Sequence, residues 1–84
     1  MSPAFIEMLR PFLKYAGERP VQPDDSLRDL GLDSMREIEL LFAIEDSYGV
    51  VLPDEMLTDT TFATAGQLWI SITELASRQG IELP

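Results

Sequence analysis

One run constrains this chain more than any other: SMREIELLFAIEDSYG, from Ser34 to Gly49. Leu40, Ile44 and Tyr48 fall on one stripe at helical spacing, with Leu41 beside it and Ile38 and Phe42 on an adjoining apolar edge. Glu37, Glu39, Glu45 and Asp46 take the more polar sides, and Gly49 suits a C-terminal cap. The spacing predicts a helix over 34–48 that must bury one face, so the remaining residues have to supply its partners. With 84 residues in all, one modest core is expected, in a single unit 1–84 with no internal cleft of enzyme size.

Two further amphipathic stretches answer that need. Ser2 and Pro3 read as an N-cap and a first turn, and Phe5, Met8, Leu9, Phe12 and Leu13 recur at helical spacing. Pro11 inside that pattern predicts a kink or split. Thr64 and Gln67 fit a capping box for a last helix, with Leu68, Ile72 and Leu75 on its inner face and Trp69 and Ala76 beside them. Residues 17–23 (GERPVQP) are loop, and DDSLRDLGL continues it, with Val21, Leu27, Leu30 and Leu32 able to pin a long connection. VVLPDEML reads as an extended segment entering a short helix from Pro53, because one isolated strand would lack a partner. The expected fold is all-α: a small four-helix bundle, three longer helices and one short, with a long first loop.

Missing residue types narrow the chemistry. The chain has no histidine and no cysteine, which removes the usual zinc and transition-metal ligands and the Ser-His-Asp and Cys-His nucleophilic arrangements. A calcium loop starting at Ser26 fails because Arg28 and Leu30 occupy ligand positions. No apolar run approaches the roughly 18 residues that cross a bilayer. The N-terminal stretch lacks a basic leader followed by an apolar segment, so the cytoplasm is the expected location.

Charge is concentrated rather than spread. The net charge is −9, and residues 24–59, with eleven acids and two bases, hold all of it. Such a field repels nucleic acid and anionic membranes and attracts basic protein surfaces. A solvated surface that only aids solubility is the plainer alternative.

Ser34 admits two readings. With Glu37 three residues on it forms a capping box worth about 1 kcal/mol, and Asp33 can fill the same role. Alternatively, its hydroxyl accepts a phosphate group, which a helix start tolerates well. Nothing supports catalysis by Ser34: no histidine can serve as its base, Asp33 is a weak base at neutral pH, and Lys14 is remote in sequence.

The stretch DSLRDLGLDSMREIELLFAIEDSYGVVLPDE resembles the acyl carrier proteins, including the aminoacyl and peptidyl carriers of natural-product assembly lines. The pattern runs through Asp25, Ser26, Leu27, Leu30, Gly31, Asp33, Ser34, Met35, Glu39, Leu40, Glu45, Tyr48, Gly49, Val50, Pro53, Asp54 and Glu55. The resemblance implies a non-catalytic carrier. Ser34 would receive phosphopantetheine from coenzyme A through a magnesium-dependent phosphopantetheinyl transferase, and the arm's terminal thiol would hold cargo as a thioester. That imported thiol answers how a cysteine-free chain could handle acyl groups.

Further implications attach to single residues. Asp33 would orient the modifying enzyme and help cap the helix. Met35, Ile38, Glu39 and Phe42 match positions that face partner enzymes. Arg36, among them, stands where fatty-acid carriers usually have an acid, which argues against docking by cationic fatty-acid enzymes. The expectation is a freestanding, monomeric carrier in nonribosomal-peptide or polyketide-type biosynthesis. Its partners would be an adenylation or other acyl-loading enzyme and downstream synthase or tailoring enzymes with basic docking surfaces. A fatty-acid carrier is the alternative within the class, and an unmodified acidic interaction module the alternative outside it.

Overall fold

Pro11 sets the first boundary. Helix α1 spans Pro3–Leu9, and the chain then tightens into a 3-10 turn over Arg10–Phe12. This is the split that a proline imposes, since its nitrogen has no hydrogen for the carbonyl one turn back. Ser2 occupies the N-cap by backbone alone: its carbonyl accepts from the amides of Phe5 and Ile6 at 3.1 and 3.2 Å, and its hydroxyl makes no cap bond. The computed structural model describes residues 2–83; Met1 and Pro84, the two ends of the expected unit, lie outside the described residues.

Helix α2 spans Ser34–Tyr48 and ends at Gly49, whose φ of 70° is the left-handed cap the sequence predicts. Helix α3 spans Ala65–Arg78, and the Thr64 hydroxyl accepts from the Gln67 amide at 3.0 Å. The short helix expected from Pro53 is a single 3-10 turn, Asp54–Met56. Three residues are too few to start an i→i+4 ladder, so the expected fourth helix is absent and the described residues form three α-helices. Ahead of that turn the extended segment has no strand partner among the described residues, and side chains satisfy its backbone instead. The Gln79 carboxamide accepts from Val51 N–H at 3.0 Å and donates to its carbonyl at 2.9 Å, while Glu45 accepts from Leu52 N–H at 3.0 Å.

The three helices meet in one core. Phe5 and Leu9 of α1, Leu40 and Ile44 of α2, and Leu68 and Ile72 of α3 are all at 0% exposure, each contributing on the order of 1.5–3 kcal/mol by leaving water. Half-buried Trp69 joins the helices, its ring 4.8 Å from that of Phe5 and 6.1 Å from that of Tyr48. The long first loop is part of this core. Leu13, Ala16, Val21, Leu27, Leu30 and Leu32 are buried along it, and an antiparallel bridge between Ser26 and Thr64 ties it to the start of α3.

Candidate functional site

The site begins with a close crossing. Gly31 has φ +105°, and a Cβ there would lie 2.8 Å from both the backbone nitrogen and Cβ of Lys14. Only glycine fits such an approach in that conformation. The contact is fastened by the Tyr15 amide donating to the Leu30 carbonyl at 2.8 Å. The end of the first helical region is thereby pressed onto the turn that leads into α2. Lys14, 19 positions from Asp33, comes to donate through Nζ to Asp33 Oδ2 at 3.2 Å.

Asp33 is the N-cap of α2. Its backbone is extended, and its Oδ1 accepts from the Arg36 amide at 2.9 Å. The Arg36 amide first, then Lys14, hold its carboxyl below the usual carboxylate range. Ser34 follows as the first helical residue and is exposed; no hydrogen bond among the described residues uses its hydroxyl. The structure gives the cap to Asp33 and not to Ser34. A cap residue must be extended while its side chain reaches forward, and Asp33 does this, so the Ser34–Glu37 capping box does not form. Glu37 instead faces Arg28 at 3.7 Å. Burial pushes its carboxyl up, against the opposing pull of Arg28.

Ser34 opens onto a surface depression of about 290 Å³ lined by Lys14, Tyr15, Arg28, Gly31, Leu32, Asp33 and Ser34 itself. Sequence reasoning set Lys14 aside as remote. No spacing rule places it here, because the crossing at Gly31 is tertiary.

Along α2, Met35, Ile38 and Phe42 are 77%, 56% and 62% exposed, and Glu39 is exposed beside them. Arg36 is placed differently from these four. It is half-buried, and its guanidinium donates to the Pro11 carbonyl at 3.3 Å, back toward the first 3-10 turn. A small hollow of about 70 Å³ lies beside the stripe, between Glu37, Ile38, Leu41, Leu57 and Phe62. Met35, Ile38 and Phe42 are thus large apolar side chains left in water along one edge of α2.

Fold and site together define a small helical protein offering one free hydroxyl at the start of its second helix. Residues 3–69 match the family described as the phosphopantetheine attachment site, and the chain belongs to that family, the acyl carrier proteins. Its members are non-catalytic; they bear covalent phosphopantetheine and serve as substrates of partner enzymes. The chain is 38% identical over 37 residues to the mitochondrial acyl carrier protein of Dictyostelium discoideum, a match spanning 44% of this chain and 31% of that one.

Two solved structures share the fold. One is the carrier protein from Agrobacterium tumefaciens complexed with an engineered Bradyrhizobium japonicum glycine:[carrier protein] ligase and AMP. It has a TM-score of 0.73 and 22% identity, over 87% of this chain and 99% of that one. The other is the glycylated carrier protein complexed with the Bradyrhizobium japonicum ligase, with a TM-score of 0.65 and 24% identity over 80% and 92%. The residues around the depression suit the family's cofactor, for an unengaged hydroxyl stands among cationic side chains able to face a phosphodiester.

Proposed function

We propose that Ser34 takes the phosphopantetheine arm and that the protein holds small acyl or aminoacyl groups on it as thioesters, in nonribosomal-peptide or polyketide-type biosynthesis. The observation that carries this reading is the division of labour at the start of α2. Asp33 performs the capping, so the Ser34 hydroxyl is free to be modified without cost to the helix. The arm supplies the thiol that this chain lacks; the transferase brings the metal and base for attachment.

The likeness to carriers held by a glycine-activating ligase supports an adenylating loading enzyme as partner. It would dock, as would downstream enzymes with basic surfaces, along Met35, Ile38, Glu39 and Phe42. The hollow beside α2 favours cargo that stays outside the bundle. Its 70 Å³ is less than half of the ~150 Å³ cavity that holds a benzene. The identity to a mitochondrial acyl carrier protein favours the second reading, a fatty-acid carrier.

Intact mass tests the first reading. Incubation with coenzyme A, magnesium and a broad-specificity phosphopantetheinyl transferase should add one arm to the wild type and none to Ser34→Ala. The variant's stability should stay within ~0.5 kcal/mol of wild type. An arm added to Ser34→Ala, or none added to folded wild type, would sink the assignment. Loading assays with amino-acid ligases against fatty-acyl donors then separate the two cargo classes.

A further inference from the structure

Cations are concentrated around Ser34 in a chain that has few of them, beside the carboxylates of Asp33 and Glu39. The protein has fifteen acids and six cations, yet half of those cations, Lys14, Arg28 and Arg36, stand around the start of α2. Lys14 and Arg28 line the depression that contains Ser34, and Lys14 and Arg36 line the one adjoining it. We infer that Lys14, with Arg28 in the same depression, forms a seat for the phosphodiester that joins the arm to the protein. The inference rests on Ser34 being the attachment residue.

Existing ion pairs leave both cations with capacity to spare. An ammonium has three donors; Asp33 takes one at 3.2 Å, and the Lys14 side chain remains 44% exposed. Arg28 is 64% exposed, and its contacts, 3.7 Å to Glu37 and 3.5 Å to Asp59, are long and made by the same terminal nitrogen. A phosphodiester on Ser34 would bring a permanent negative charge beside the carboxylates of Asp33 and Glu37, and these cations offset that repulsion.

Lys14 is also held ready. Its backbone is wedged against Gly31, so its place does not depend on the modification. Seated there, the arm would leave Ser34 by the depression walled by Tyr15, which is 73% exposed, and not over Met35, which lines the adjoining one. The apolar stripe of α2 would stay clear for a docking enzyme.

Lys14 is the chain's only lysine, which makes the test clean. Growth on lysine ¹³C-labelled at Cε leaves its charge and all its donors intact and gives one signal to follow by NMR. As a transferase converts the protein to its phosphopantetheinyl form, with mass confirming conversion, that signal should move in ~20 mM salt and return most of the way in ~0.5 M salt.

In parallel, melting is compared between unmodified and modified forms. Modification should leave the wild-type midpoint level or higher. It should lower that of Lys14→Met by roughly 2–5 °C, and that of Arg28→Met by less. An unmoved Lys14 signal after confirmed conversion, or the same modified-minus-unmodified difference in wild type and Lys14→Met, overturns the seat and leaves the carrier reading standing. Failure of the wild type to gain the arm overturns both. The Lys14 measurement is made on the wild-type sequence, so it decides the matter even if a variant does not fold.

Discussion

Helices α2 and α3 are built alike and used differently. They have 15 and 14 residues, and each is capped by a side-chain oxygen accepting from the third helical amide. Yet α3 buries Ala65, Leu68, Ser71, Ile72, Leu75 and Ala76, whereas α2 buries only Leu40, Ile44 and Tyr48 and leaves Met35, Ile38 and Phe42 in water. The caps diverge too. Thr64 is neutral and local, while Asp33 is charged and holds Lys14 from a distant part of the chain. One helix is committed to the core; the other gives the core a single stripe and leaves an apolar edge in water.

That contrast can be broken at several points. Ile72→Ala in α3 should cost about 2–5 kcal/mol in urea unfolding, a large share of the stability of so small a fold. A loss under ~1 kcal/mol would mean that α3 is not the packing helix. Phe42→Ala on α2 should change stability by no more than ~0.5 kcal/mol, yet weaken binding to a loading enzyme about tenfold or more, read by titration calorimetry. Equal effects on fold and binding would erase the distinction.

Thr64→Ala should cost about 1 kcal/mol at every pH from 3 to 8, because a hydroxyl cap does not titrate there. The charged cap behaves otherwise and gives the smallest signal. The folded carboxyl of Asp33 lies below its usual 3.8, so its contribution is present above that value and lost as pH falls through and below it. The folded carboxyl of Glu37 lies above its usual 4.5, so its burial penalty at neutral pH is relieved as pH falls. In acid titrations followed by circular dichroism, the gap between wild type and Asp33→Asn should therefore close below about pH 3.8. A gap that persists in acid would leave charge out of the cap.

Much of this was readable from residue order, because local physics decides it. The bounds of α2, its glycine cap, the Thr64 cap and the break at Pro11 all follow from spacing and from which atoms lack a partner. The loop leucines announced their burial by being apolar in a polar stretch. Other features needed the third dimension. Asp33 and Ser34 both suit a cap, and a helix start shifted by one residue decides which side chain is consumed and which is left free. The extended segment before the second 3-10 turn borrows its partners from Glu45 and Gln79, 7 and 28 positions away. Lys14 reaches Asp33 only because Gly31 has no side chain to keep the two segments apart.

The Lys14–Asp33 pair has one more consequence, which concerns what the protein refrains from doing. A thioester on a swinging arm is at risk from any thiol, imidazole or free amine within its sweep. This chain has no cysteine, no histidine and a single lysine. That lysine is engaged by the Asp33 carboxylate at 3.2 Å. With the arm on Ser34 as proposed, the residues beside it would offer the cargo neither thiol nor imidazole, and transfer would wait for an enzyme that supplies the nucleophile.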